Sequence, residues 1–177
     1  FDLVACDEPL YLDTVGELSA DLHKAVDQAS RNIQSFAEAQ LPTSWMREFS
    51  DGRSLGQVIR PLDSVGVYVP AGRYPLISTL LMAVIPAQVA GVQNIMVACP
   101  RPSLDMLAVA KLLGVRQILH AGGAQAIAAM AYGTESVKPV QRIVGPGNAY
   151  VAAAKKLVSQ DVAIDFVAGP SEILIVA

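Results

Sequence analysis

Four short apolar runs in this chain each stop at a glycine-containing turn, and that recurrence constrains the fold more than any other feature. Val65-Gly66-Val67-Tyr68-Val69 runs into Pro70-Ala71-Gly72, and Ile118-Leu119 into His120-Ala121-Gly122-Gly123. Ile143-Val144 runs into Gly145-Pro146-Gly147-Asn148, and Phe166-Val167 into Ala168-Gly169-Pro170-Ser171-Glu172. The first three turns lead into helix-like patterns. Glycine has no Cβ, so the backbone turns sharply there and admits close neighbours. Strands alternating with helices predict right-handed βαβ crossovers and a mostly parallel sheet with helices on both faces. In such a sheet the turns gather at the carboxyl ends of the strands, where helix N-termini offer unpaired N–H groups to anions. The chain reads as a nucleotide-handling α/β unit.

The spacing of apolar residues sets the expected elements. Ser19 is placed to cap a helix whose buried stripe is Leu22, Ala25, Val26, Ala29, Ile33 and Phe36, with His23 facing solvent. Residues 43–54 read as a polar loop holding Trp45, a packing residue. Residues 56–62 and 65–69 read as strands joined by Asp63-Ser64, a link short enough for an antiparallel pair. Helices are expected over 76–90, 103–113, 124–132 and 148–159, and strands over 94–98, 116–120, 141–144, 163–167 and 173–177. Pro86 should kink or split its helix. The expected organisation is an N-terminal helical segment and loop over 1–55 and an α/β domain over 56–177. The last strands belong to that domain or lead into a second.

Composition excludes several classes of partner. An apolar fraction of 53% with 16% charged residues supplies a large core. A formal net charge of −3 leaves no basic footprint for nucleic acid, and Lys155-Lys156 reads as a solvated helix face. Tyr74 to Pro100 carries no charge, but Pro75, Pro86, Gln88, Gly91, Gln93 and Asn94 interrupt it, which argues against a membrane span. Burial in a sheet covered on both sides explains the stretch better. Cys6 and Cys99 form no disulfide framework, and there is no signal-peptide pattern, so a reduced cytoplasmic setting is expected.

The turns hold the candidate site residues. Asn148 stands where a helix cap belongs, either as a cap alone or as a group holding a cofactor or phosphate. Its turn lacks the Gly-Lys-Ser/Thr ending of a P-loop. Gln125, the one long polar side chain at an apolar helix start, is placed to bond an adenine, ribose or amide group, or equally the local backbone. Tyr68 is a core aromatic, or a ring stacked on a cofactor with its hydroxyl free. His120 reads as a packed or hydrogen-bonded histidine. Two histidines without H-x-x-H spacing do not make a zinc site within this chain. Ser171 lacks the glycine two residues on that a nucleophile elbow needs, so it reads as a hydrogen-bonding group at a strand mouth.

Taken in order, these motifs resemble histidinol dehydrogenases. The matching stretches are Arg60-Pro61 with Val65 to Gly72, Gly122 to Ala129, Tyr132 to Val137, Gly145 to Val151, and Ala168 to Glu172. The resemblance covers residues 17–177 and implies Rossmann-like architecture, part of a larger two-domain enzyme. It further implies a homodimer that oxidises L-histidinol through L-histidinaldehyde to L-histidine with two NAD and one zinc ion. Tyr68, Gln125 and Asn148 match the family's NAD-contacting residues, and Ser171 matches a substrate-contacting serine. The zinc ligands and the Glu-His acid/base pair are expected outside these 177 residues, so the polypeptide alone is expected to be inactive. Alternatives are a related NAD-dependent dehydrogenase acting on another alcohol, a non-catalytic nucleotide-binding module, and a hydrolase built on Ser171.

Overall fold

The computed structural model describes residues 18–72, 74–166 and 174. Ser171 and the expected strand 173–177, Leu174 apart, lie outside them. The first helix, α1 (Ala20–Gln40), is capped as expected, with Ser19 Oγ accepting from Leu22 N–H at 3.3 Å. Its inward side carries Leu22, Val26, Ala29 and Ile33, and Ala37 is buried beyond them. Phe36 is 66% exposed. Ala25 and Phe36 share one flank of the stripe, and both face outward because the helix is rolled toward the flank of Val26 and Ala37.

Strands β1 (Trp45–Glu48) and β2 (Ser54–Gln57) form an antiparallel hairpin with Trp45 opposite Gln57. Two expectations fail here. Residues 43–54 are not simply a loop, and the segment after Gly56 does not pair with the strand that follows it. The reason is topological. That strand, β3 (Ser64–Tyr68), is flanked on both edges by parallel partners, so no edge is left for β2. Trp45 is half exposed, and its indole N–H donates to Gln57 Oε1 at 3.2 Å across the hairpin.

The remaining elements alternate as the sequence suggests: α2 (Ile77–Val89), β4 (Asn94–Ala98), α3 (Leu104–Leu112), β5 (Gln117–Leu119), α4 (Gly123–Tyr132), β6 (Arg142–Val144), α5 (Ala149–Val158) and β7 (Ala163–Ile164). Pro86 does not split α2, which continues through it to Val89. It stands in the last turn, where few i−4 bonds remain to lose, and its carbonyl accepts from Ala90 N–H at 2.9 Å. No helix among the described residues is long and apolar enough to cross a membrane.

Five strands form one all-parallel sheet in the order β5-β4-β3-β6-β7. Side chains alternate across it, so one face of β3 presents Val65 and Val67, continued by Val69 just past its end, and the other Gly66 and Tyr68. The valines pack with α1, α2 and α3 through Val26, Leu80, Val84, Met106 and Val109. Tyr68 packs with α4 and α5 through Ile127, Met130, Val151 and Ala154. Helices therefore cover both faces, as expected. Gly66 permits that second layer to close, because a Cβ there would come within 2.6 Å of Met130 Sδ.

Candidate functional site

The chain runs outward from β3 to β4 and β5, then crosses back to β6 on the other side of β3. Strand order therefore reverses between β3 and β6, and in doubly wound sheets ligands bind beyond the carboxyl ends at such a reversal. Tyr68 ends β3 at that point. Its ring is buried, and its hydroxyl accepts from Gly123 N–H at 3.0 Å, at the first residue of α4. Tyr68 thus holds the start of α4 against the end of β3, and the hydroxyl is not free. The same bond takes up one of the N–H groups that a helix start leaves unpaired.

Gln125 stands two residues further along α4 and is exposed. It lines a cavity of about 640 Å³ with Pro100, His120, Ala128, Tyr132 and Thr134. Tyr132 is tied to the turn after α5, its hydroxyl donating to Asp161 Oδ2 at 2.8 Å. That bond, with some desolvation, raises the phenol pKa above its usual value.

Asn148 caps α5, with Oδ1 accepting from Val151 N–H at 3.0 Å. Replacing it with alanine removes that acceptor, and Asn148→Ala is expected to lower stability by about 1 kcal/mol in urea unfolding. Its turn touches Tyr68 from the other side: Gly145 has φ +114°, and a Cβ there would overlap the Tyr68 carbonyl. Tyr68 therefore stands between the turn of Gln125 and the turn of Asn148. The side chains themselves are not gathered into one cavity. Gln125 lines the 640 Å³ space, while Tyr68 and Asn148 do not.

Two functional candidates were hidden in the sequence. Lys155, expected on a solvated face, is 4% exposed. Its ammonium donates to the Gly145 carbonyl at 3.0 Å and pairs with Asp165 Oδ1. Asp165 Oδ2 in turn accepts from Gly145 N–H at 2.9 Å, so the two side chains take up both polar groups of Gly145. A signal existed: Lys155 lies four residues after Val151 and three before Val158, on the buried stripe of α5. Lys156 faces outward as expected.

Among the described residues, the lining suits a small organic ligand better than a metal. The Gln125 cavity falls within the roughly 300–1,000 Å³ of small-molecule sites and combines apolar walls with a few polar groups. Among the described residues, no group of three or more His, Cys, Asp or Glu side chains could hold a metal ion.

Comparison with known proteins decides the family. The family model described as histidinol dehydrogenase matches residues 5–177. The chain belongs to the histidinol dehydrogenase family. A histidinol dehydrogenase from Methanothermobacter thermautotrophicus is 51% identical over 166 residues, covering 90% of this chain and 39% of the relative. One from Bacillus subtilis is 46% identical over 188 residues, covering 100% of this chain and 44% of the relative. The solved histidinol dehydrogenase of Elizabethkingia anophelis matches with a TM-score of 0.88 at 38% identity, over 96% of this chain and 40% of that one. This family member thus spans less than half the length of these relatives.

Proposed function

We propose that this chain supplies the NAD-binding wall of an enzyme that oxidises L-histidinol to L-histidine through L-histidinaldehyde, a four-electron reaction that ends histidine biosynthesis. The observation that carries the reading is the meeting of the α4 and α5 turns on Tyr68 at the strand reversal, with Gln125 on a ligand-sized cavity beside it. When bound, NAD supplies the hydride acceptor. Gln125 binds and orients it through its side-chain amide, and Asn148 does so from the cap of α5. Tyr68 contributes from beneath, fixing the α4 turn. Ser171 contacts the substrate, by its match to the family's serine. The Rossmann-like unit of residues 56–177 acts within a larger two-domain, cytoplasmic homodimer that binds zinc. No step through the metal is assigned to this chain, since its described residues do not form a zinc site.

Calorimetric titration with NAD tests the reading. The 177-residue chain is expected to bind NAD, and Gln125→Ala to weaken binding about tenfold, the worth of one well-made amide contact. Adding L-histidinol to the same chain is expected to yield no NADH, because the acid/base groups of the reaction are assigned to other residues. Equal affinity in the wild type and in Gln125→Ala would remove the support.

A further inference from the structure

A buried ion pair is an expensive way to hold a turn, because two charges lose their water. Lys155 and Asp165 lie on different elements, α5 and the residue after β7, and they meet at Gly145, the residue that follows β6. Gly145 there has φ +114°, a backbone region that other residues rarely adopt. Its N–H donates to Asp165 and its carbonyl accepts from Lys155, so the peptides on either side of it are set by side chains rather than by the sheet ladder. Asp165 is itself anchored, its N–H donating to Ile143 O at 3.2 Å and its Oδ1 accepting from Phe166 N–H at 2.7 Å. The Lys155 ammonium also stands 5.8 Å from the centre of the Phe166 ring. Three residues beyond Gly145 comes Asn148.

We propose that Lys155 and Asp165 are positioning residues for the cofactor turn. By fixing the peptides of Gly145 they set the path of Pro146-Gly147 and so the place from which Asn148 meets the dinucleotide. Neither residue needs to touch the cofactor. The inference rests on the dinucleotide reading above for its ligand and on the hydrogen bonds alone for its geometry. A pair kept only for stability would be replaceable by apolar side chains of similar volume. A pair that aims a turn is not, because the polar groups of Gly145 would then have no partner.

The test compares the wild-type chain with the double variant Lys155→Met/Asp165→Leu, which removes both charges while keeping the length of the lysine and the branching of the aspartate. Two quantities are read: the NAD dissociation constant, and amide hydrogen exchange at Gly145, Gly147 and Asn148. The expected result is about tenfold weaker NAD binding and at least tenfold faster exchange at Gly145, both read under conditions where the variant is fully folded. Unchanged affinity together with unchanged exchange overturns the proposal, as does faster exchange without loss of affinity. If the wild-type chain binds no NAD, the dinucleotide reading fails. Exchange then decides the clamp by itself, unchanged protection at Gly145 overturning it and faster exchange supporting it. Should the double variant not fold, Lys155→Arg takes its place, with the charge kept and the reach altered. The same pair of readouts then applies, at an expected three- to fivefold effect.

Discussion

Lys155→Ala is expected to destabilise the chain by about 3 kcal/mol or more, the cost of leaving a buried carboxylate without its cation. The Asp165 side chain is only 19% exposed, so water recovers little of the lost interaction. The ammonium also leaves the Gly145 carbonyl without its side-chain donor, which adds to the loss. Asp165→Ala is expected to cost a similar amount by the converse route, stranding the ammonium and the Gly145 N–H together. The double replacement is expected to cost less than the two singles summed, with a coupling of about 1–3 kcal/mol, because neither charge is then left behind. Urea unfolding of the four proteins measures this directly. Simple additivity of the two losses would show that the charges do not depend on each other.

This pair also marks where the sequence stops being readable. The parallel sheet could be read because each strand is a short apolar run, each run ends at glycine, and helical spacing follows. The alternation of Val65, Val67 and Val69 against Gly66 and Tyr68 even separates the two cores. The hairpin could not be read. Trp45, Met46 and Leu55 are exposed, so the strands carry no buried face to signal them, and the pairing depends on β3 having no spare edge. At the site, Asn148 as a cap was legible from its place before a good helix. The Tyr68 hydroxyl was not, since its partner lies 55 residues away on another turn. Lys155 was misread through its neighbour: two adjacent lysines look like a solvated face, yet on a helix adjacent residues point about 100° apart. One of them fell on the buried stripe, and its partner was ten residues distant.

Gly145→Ala is expected to be the most damaging glycine-to-alanine change among the described residues, costing on the order of 3–5 kcal/mol. Two penalties act together there. A φ of +114° strains any L side chain, and the added Cβ would overlap the Tyr68 carbonyl oxygen, with the Tyr68 carbonyl carbon 3.0 Å away. Those atoms are backbone in the central strand, and they cannot yield as a flexible side chain would. Gly114 separates the two penalties. It has φ +69° with nothing within 4 Å of an added Cβ, so Gly114→Ala carries the strain alone and is expected to cost about 1 kcal/mol. The difference between the two variants in urea unfolding then measures the collision with β3. If Gly145→Ala costs no more than Gly114→Ala, β6 is free to shift away from Tyr68. In that case the turn bearing Asn148 would not be registered against the central strand, and the meeting of the two turns on Tyr68 would lose its rigidity. A large difference means the opposite: the two strands at the reversal are held to within a methyl group, which is the tolerance that a site assembled from separate turns requires.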